Sequence, residues 1–233
     1  VYERIRNCRI IVGTVAAISG KPELFRLKHF DVAIIDEATQ ILEPQLLGIL
    51  CARGEDGKDA IDKFVLIGDH KQLPAVVQQN TEQSAIYDES LLSIGLTNLK
   101  DSLFERLYRN CTATVHRSYD MLCRQGRMHP EVALFANRAF YGGRLIPVGL
   151  PHQIESSDTI CRLAFYPSVP EKVGASAKIN YSEARIVADL AVRIYEDHQA
   201  DFDESRTLGI ITPYRSQIAL IKKEIESLGI PAL

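Results

Sequence analysis

Short apolar runs alternate with amphipathic segments along the chain. Three runs in the first part of the chain end at a small or acidic residue, and a fourth comes late; they occupy residues 9–13, 32–36, 64–68 and 208–212. Residues 160–165 form a weaker candidate. Continuous apolar runs of this length are typical of strands that are buried on both faces of a parallel sheet. The pattern therefore predicts a parallel sheet.

Capping residues mark the predicted helices between these strands. Ser102 and Asn180 are each followed three residues later by a glutamate, which is the spacing of a capping box at the start of a helix. Pro130 suits the first position of a helix, and Gly229 suits the position just after one. Strands that alternate with helices predict an α/β fold.

The composition limits the classes of protein that the chain can belong to. Of its 233 residues, 46% are hydrophobic and 24% are charged, which are ordinary values for a globular protein. No run approaches the ~18 apolar residues that a membrane span needs. The net charge of -3 argues against a globally basic nucleic-acid binder, although a local basic patch stays open. Five widely spaced cysteines favour a reducing, intracellular setting, in the cytoplasm or the nucleus.

Two adjacent acids, Asp36 and Glu37, follow the predicted strand at residues 32–36. In a P-loop NTPase, an aspartate at a strand end holds the Mg²⁺ that neutralises the phosphates of the nucleotide. A neighbouring carboxylate can orient a water molecule and accept its proton. The alternative is structural, with Asp36 or Thr39 capping the helix that follows.

A second polar turn, Gly68–Pro74 in the sequence GDHKQLP, follows the strand at residues 64–68. Gln72 in this turn can bind a γ-phosphate through hydrogen bonds without adding charge. The alternative is that Gly-Asp-His-Lys is simply a favourable turn sequence.

Taken in order, these turns and later segments resemble the motifs of the superfamily 1 helicases, in the B branch that includes the nonsense-mediated-decay RNA helicase and senataxin. The resemblance extends over nearly the whole chain. The segments are VGT at 12–14, DEATQ at 36–40, GDHKQLP at 68–74, SLFERL at 102–107, QGRMHP at 125–130, ANRAFY at 136–141 and ITPYRSQ at 211–217.

The resemblance implies a P-loop NTPase of the RecA-like type, with parallel sheets flanked by helices in two tandem lobes. Residues 1–112 would form the later half of the first lobe, and residues 113–233 the first part of the second. The family hydrolyses ATP with Mg²⁺ between its lobes and moves along single-stranded RNA or DNA. This implies a helicase or translocase.

The resemblance also assigns roles to individual residues. Asp36 would hold Mg²⁺ through water, Glu37 would activate the attacking water, and Gln72 would sense the γ-phosphate. Arg127 would act as an arginine finger; its alternative is an ordinary surface arginine. Gln40 would lie beside the nucleotide; its alternative is a glutamine on a helix surface. Thr14 and Thr212 would contact the nucleic-acid backbone; their alternative is helix capping.

The sequence departs from the family in three ways. It contains no G-x-x-x-x-G-K-[ST] phosphate loop and no final helicase motif, which predicts an internal fragment of a longer protein. Gly126 stands where the family usually has tyrosine. The absence of the loop keeps open a non-catalytic nucleic-acid-binding or scaffolding module. A different α/β ATPase that shares only the Asp-Glu pair fits the later motifs poorly.

Overall fold

A computed structural model describes residues 2–114, 118–154, 162–170 and 178–229. The described residues contain ten α-helices, four strands and one 3-10 helix, Ala38–Gln40. The strands are β1 (Phe30–Ile35), β2 (Ile61–Leu66), β3 (Arg124–Gln125) and β4 (Ile146–Pro147). The helices are α1 (Tyr2–Asn7), α2 (Val15–Ser19), α3 (Pro22–Leu27), α4 (Glu43–Leu50), α5 (Glu89–Ser93), α6 (Leu103–Ala113), α7 (Pro130–Phe140), α8 (Pro151–Ile154), α9 (Tyr181–Asp197) and α10 (Arg215–Ser227).

Two compact units make up the chain. The first contains Val1–Met128 and Leu134–Leu150, and the second contains His129–Ala133 and Pro151–Leu233. These units describe how the chain packs locally. The lobe boundary after residue 112 stays a prediction.

Parallel pairing of β1 with β2 forms the central sheet of the first unit. The register places Phe30 opposite Ile61 and Ile35 opposite Leu66. Parallel strands need a crossover connection, and α4 lies in the segment that joins them. The predicted α/β class with parallel strands is therefore confirmed. β3 and β4 form a second parallel pair of two residues each.

Two apolar clusters hold the helices of the first unit against this sheet. One cluster joins Phe25 of α3 to Ile49 of α4 and Ile61 of β2. The other joins Leu46 of α4, which is fully buried, to Ile35 at the end of β1 and to further buried residues on the 3-10 helix and α6. The end of β1, where the predicted site begins, is thus packed against α4 and α6.

A buried ion pair joins α4 to α6. Arg106 donates through Nε to Glu43 Oε2 at 2.8 Å and through a second nitrogen to Glu43 Oε1, and its third donor reaches the Ile94 carbonyl at 3.0 Å. The Arg106 and Glu43 side chains are only 10% and 12% exposed. Each guanidinium nitrogen and each carboxylate oxygen that burial removes from water therefore has a partner within the protein.

The second unit is built on the packing of small residues on α9 against branched residues on α10. Ala184, Ala188 and Ala191 pack against Ile221 and Ile225, and all five are buried. The alanines are spaced three and four residues apart, so they lie on one face of α9. Their small side chains allow the two helices to approach closely.

Gln217 ties the starts of these two helices together. Its side chain is buried; Oε1 accepts from the Asn180 N–H at 2.8 Å, and Nε2 donates to the Asn180 carbonyl at 3.0 Å. Asn180 in turn caps α9, because its side chain accepts from Glu183 N at 3.0 Å. The last residue of the ITPYRSQ segment therefore has a structural role.

The helix boundaries that the caps predict are confirmed. Ser102 caps α6 through a bond from Glu105 N at 3.2 Å, and α7 begins at Pro130. α10 ends before Gly229, whose φ of +83° lies in the left-handed region that favours glycine. These features depend on neighbours within a few residues, which is why the sequence alone could predict them.

Two predicted strands are absent from the described residues. Residues 9–13 and 208–212 form no strand there, and the side chains of Ile10, Val12 and Ile211 are exposed. A strand needs a neighbour that satisfies its backbone groups, and these segments have no such neighbour in the part of the chain that is described. Residues 162–165 are also not a strand, and residues 160 and 161 lie outside the described residues.

Among the described residues, no helix combines the length and apolar character that a membrane span requires. The four cysteines within the described part of the chain are free thiols.

Replacing Arg106 by alanine should cost ~3–5 kcal/mol in the free energy of unfolding, because it leaves the Glu43 carboxylate buried without its partner. Arg109→Ala on the same helix is the matched control. Arg109 pairs with Asp101, but its side chain is 49% exposed, so its loss should cost less than ~1 kcal/mol. Urea unfolding of the two variants measures the difference. Equal costs would show that the Arg106–Glu43 pair does not stabilise the contact between α4 and α6.

Candidate nucleotide site

The parallel register brings the two predicted turns to one edge of the sheet. Ile67 N donates to the Ile35 carbonyl at 2.8 Å, and Ala38 N donates back to the Ile67 carbonyl at 2.8 Å. The strand ladder thus continues one step past β1 and β2 and joins the segments that follow them. The DEATQ and GDHKQLP turns therefore begin side by side, at the carboxyl ends of two parallel strands.

Gly68 allows these two turns to touch. A Cβ atom added at Gly68 would lie 2.9 Å from Thr39 Cγ2, closer than real Cβ atoms come to their neighbours, and 3.0 Å from Thr39 N, which is tighter than most real Cβ contacts. Thr39 is itself buried. Only glycine fits this close approach, so Gly68 sets the spacing between the two turns.

The backbone at Glu37 adopts a conformation that side-chain-bearing residues avoid. Its φ of 51° and ψ of 36° lie in the left-handed region, and among the described residues it is the only non-glycine with a positive φ. Such a conformation costs of order 1 kcal/mol and needs support from its surroundings. The Glu37 N–H donates to Asp36 Oδ1 at 3.0 Å, which is part of that support.

Asp36, Glu37 and Gln40 form one hydrogen-bonded group at the end of β1. Gln40 Nε2 donates to Glu37 Oε2 at 3.2 Å, and all three residues are exposed. Neither Asp36 nor Thr39 caps a helix here, since the N-cap of the 3-10 helix is Glu37 and the N-cap of α4 is Leu42. The structural alternative for this turn is therefore wrong, and the acidic side chains remain accessible to a ligand.

Asp69 organises the second turn. Its Oδ1 accepts from Lys71 N at 3.0 Å, and its Oδ2 accepts from Gln72 Nε2 at 2.9 Å and from the Tyr141 hydroxyl at 2.6 Å. The Gln72 side chain is thus held by a hydrogen bond to Asp69. Tyr141 follows α7 and reaches the turn from a segment that is 72 residues away in sequence.

Hydrogen bonding keeps Asp69 ionised. Burial alone raises the pKa of its carboxyl, but the bonds from Tyr141, Gln72 and Lys71, together with the nearby His70, outweigh burial and leave the pKa below its ordinary value. The hydrogen bond between Tyr141 and Asp69 also raises the pKa of Tyr141 to about 12. Since the folded-state pKa of Asp69 is depressed, its contribution to stability is present at neutral pH and is lost as the pH falls through that value.

Aromatic packing holds the same turn from α6. The His70 and Tyr108 rings lie 4.6 Å apart, and Tyr108 also contacts Phe104 and Tyr119. α6 therefore supports both sides of the site, because it contributes Leu103 beside the end of β1 and Tyr108 beside His70.

Arg127 lies in a turn that the Gln125 side chain shapes. Gln125 Oε1 accepts from Arg127 N at 3.1 Å and from Met128 N at 2.8 Å, and its Nε2 donates to the Met128 carbonyl at 2.8 Å. The Arg127 side chain is exposed. Within the described part of the chain, no hydrogen bond or ion pair joins the Arg127 side chain to Asp36, Glu37 or Gln72.

Gly126 is packed closely in this turn. A Cβ at this position would lie 3.2 Å from Leu150 Cδ1 and 3.4 Å from Val148 Cγ2. These two side chains occupy the space beside Gly126. The glycine therefore does not leave a gap where the family usually has an aromatic residue.

Thr14 and Thr212 differ in their surroundings. The Thr14 hydroxyl accepts from Ala17 N at 3.2 Å and caps α2, which is the structural role left open for it. Thr212 lies in the segment before α10, but the N-cap of that helix is Tyr214. Helix capping therefore accounts for Thr14 and not for Thr212.

The acidic turn suits Mg²⁺ bound to a nucleotide better than a metal held by protein alone. No group of three or more potential metal ligands occurs among the described residues. Mg²⁺ in nucleotide sites usually keeps several waters and takes one or two carboxylates, with phosphate oxygens completing its shell. The exposed carboxylate of Asp36 fits that arrangement.

Known proteins match the chain along most of its length. Two family models, each described as an AAA domain, match residues 2–80 and 99–231. Over 265 aligned residues the chain is 29% identical to the DNA replication ATP-dependent helicase/nuclease DNA2 of Xenopus laevis. It is 30% identical over 225 residues to a probable helicase of Dictyostelium discoideum and 28% identical over 204 residues to the probable helicase senataxin of mouse. The chain belongs to the superfamily 1 helicases.

The matched regions cover only a part of these relatives. The alignments include 99%, 91% and 84% of this chain, but 22%, 20% and 7% of the three relatives, in the same order. The chain thus spans about a fifth of the length of the first two. The expected resemblance and the α/β fold of a P-loop NTPase are confirmed.

Two residues that the structure places beside the candidate site, Asp69 and Tyr141, have no role in the predictions made from the sequence. Both lie in segments that resemble the family, GDHKQLP and ANRAFY, and their presence in these segments is the only signal that could have found them. Nothing in the spacing of the chain shows that they form a hydrogen bond.

Gly68→Ala should lower the free energy of unfolding by ~1–3 kcal/mol, because the added methyl group overlaps Thr39. In a Thr39→Ser background part of this loss should be recovered, since Cγ2 is gone while the backbone nitrogen remains. Gly209→Ala is the control, because no atom lies within 4 Å of a Cβ placed there. Denaturant titrations measure all three. A Gly68→Ala cost equal to that of the control would refute the close approach of the two turns.

Proposed function

We propose that this chain forms part of the motor of an ATP-dependent helicase or translocase that acts on single-stranded RNA or DNA. The observation that supports this most directly is the meeting of two turns at one sheet edge, one carrying Asp36 and Glu37 and the other Gln72. Ligands of α/β proteins bind at the carboxyl ends of parallel strands. The relatives named as helicases support the same function.

In this proposal, Asp36 binds Mg²⁺ through water, and the metal neutralises charge on the β- and γ-phosphates of ATP. Glu37 accepts a proton from the water that attacks the γ-phosphate. The amide of Gln40 donates to Glu37 and keeps its carboxylate oriented. In this proposal the two adjacent carboxylates serve different ligands, Asp36 the metal and Glu37 the attacking water.

Gln72 contacts the γ-phosphate, and Arg127 stabilises the charge that develops on it during transfer. Arginine suits this role because its planar guanidinium stays charged and binds two phosphate oxygens at once. The exposed Arg127 side chain is accessible to such a ligand. We place Arg127 in the second lobe, after the boundary at residue 112.

Thr14 and Thr212 are the proposed contacts to the nucleic-acid backbone. The chain has a net charge of -3, so attraction to nucleic acid comes from local groups and not from the overall charge. Thr212, which does not cap α10, is the stronger of the two candidates because its hydroxyl has no capping role.

Glu37→Gln in the full-length protein should keep ATP binding and reduce turnover by ~10²–10⁴-fold, because the amide keeps the shape of the side chain but accepts no proton. Asp36→Asn should weaken Mg²⁺-ATP binding as well. Glu55→Gln, in an exposed loop, is the control. Steady-state ATPase assays and nucleotide binding separate the effects. Turnover of Glu37→Gln within about threefold of wild type would place the base elsewhere.

Arg127→Ala should reduce ATP turnover in the presence of saturating single strand by ~10³-fold or more, while most ATP affinity is retained. Arg127→Lys should restore little, since an ammonium group cannot bind two oxygens at once. Arg138→Ala on α7 removes an exposed arginine of the same kind and should leave turnover near that of wild type. A non-catalytic scaffolding module predicts instead that Arg127→Ala and the control behave alike.

A further inference from the structure

One side chain of the site region has no role in the function proposed above. The Tyr141 hydroxyl donates to Asp69 Oδ2, and Asp69 also accepts from the Gln72 amide. We propose that Tyr141 is a positioning residue, which fixes the Asp69 carboxylate so that Asp69 holds the Gln72 amide in the orientation that contacts the γ-phosphate. This inference rests on the proposed role of Gln72.

The bonds converge on one carboxylate. Tyr141 and Gln72 share Oδ2, at 2.6 and 2.9 Å, while the backbone N–H of Lys71 takes Oδ1 at 3.0 Å. Three donors leave the carboxylate little freedom to rotate. Without Tyr141, the donors that remain among the described residues come from the turn itself, within three residues of Asp69. Tyr141 is thus the donor that ties this turn to a distant part of the unit.

The chemistry of the pair determines which end of the Gln72 amide faces Asp69. An ionised carboxylate only accepts hydrogen bonds, so the –NH₂ group must point toward it and the carbonyl oxygen away. The second amide hydrogen then points away from Asp69 and can donate to a phosphate oxygen. The Gln72 carbonyl can accept from a water molecule. A carboxylate that rotated freely would still accept from the –NH₂ group, but it would not hold that group in one fixed direction.

Tyr141 is itself held rigidly. Its backbone N–H donates to the Asn137 carbonyl at 3.1 Å, which extends the last turn of α7. The Asn137 side chain then bonds the backbone of Leu145 in both directions, at 2.9 and 3.0 Å. These bonds close the segment after α7 into a fixed corner. The tyrosine hydroxyl is therefore presented to Asp69 from a defined position.

The same helix connects two parts of the proposed site. α7 begins three residues after Arg127 and ends one residue before Tyr141. Its eleven residues span about 16 Å. The turn with the proposed arginine finger and the residue that fixes the γ-phosphate sensor are therefore attached to opposite ends of one rigid element.

The test uses the full-length protein and a double-mutant cycle between Tyr141→Phe and Gln72→Ala. Tyr141→Phe removes one hydroxyl and should lower kcat about tenfold, because a hydrogen bond to a charged group is lost. The KM for ATP should change less than kcat, since the triphosphate is bound mainly by other groups. In the Gln72→Ala background, Tyr141→Phe should have no further effect on kcat, because the side chain that it positions is gone.

Tyr195→Phe is the matched control. It removes the same hydroxyl from a half-buried tyrosine whose ring packs against Phe202 in the other compact unit. It should leave kcat unchanged. Asp69→Asn tests the same link from its other member. It should lower kcat, and Tyr141→Phe should then have no further effect on kcat in the Asp69→Asn background. Melting temperatures identify any variant that has lost its fold, in which case the Asp69→Asn cycle provides the test.

The outcomes separate this inference from the function on which it rests. If Gln72→Ala lowers kcat but Tyr141→Phe lowers it by the same factor in both backgrounds, Tyr141 does not act through Gln72 and the positioning role is overturned. If Gln72→Ala leaves kcat unchanged, the γ-phosphate role of Gln72 fails and the inference fails with it. Loss of the Tyr141→Phe effect in the Gln72→Ala background supports both.

Discussion

Two main-chain hydrogen bonds beyond the ends of β1 and β2 bring together the two turns that carry the proposed catalytic groups. They run from Ile67 to Ile35 and from Ala38 to Ile67, and they bind together the segments that follow the two strands. With Gly68 against Thr39, they leave no room between the turns. The acidic group on one turn and the glutamine on the other thus share one sheet edge, although a long stretch of chain separates them.

Support for this edge comes from α4 and α6, which are joined by the buried Arg106–Glu43 pair. Because the cost of removing two charges from water offsets much of their attraction, we infer that the pair fixes the position of α6 more than it adds net stability. Its position is consistent with that role. The residue two places after Arg106 is Tyr108, whose ring packs against His70 beside Asp69. Fixing α6 therefore also fixes the second turn.

The sequence predicted the helix caps and the parallel strands β1 and β2 correctly, but it also predicted strands that do not form among the described residues. Caps at Ser102 and Asn180 depend on neighbours three residues away, and both are present. Strands at 9–13 and 208–212 were wrong for the described residues, because an apolar run forms a strand only where another strand pairs with it. The apolar pattern in these segments is real, but it contains no information on such a partner.

The candidate site shows the same division. Family motifs predict Asp36, Glu37 and Gln72 as site residues from the sequence alone, and the parallel strands place these residues on adjacent turns. The bond between Asp69 and Tyr141 joins residues 72 apart, and no local rule connects an aspartate with a tyrosine at that distance. The left-handed backbone of Glu37 is equally hidden, since glutamate does not favour that conformation.

A crystal structure of the full-length protein with Mg²⁺ and a non-hydrolysable ATP analogue tests the central claim most directly. The claim is that the turns after β1 and β2 form one nucleotide site. It predicts the γ-phosphate at hydrogen-bonding distance, about 3 Å, from Gln72 Nε2, and Asp36 in contact with a water of the metal. A nucleotide bound elsewhere, with Asp36 and Gln72 both directed to solvent, would contradict the account.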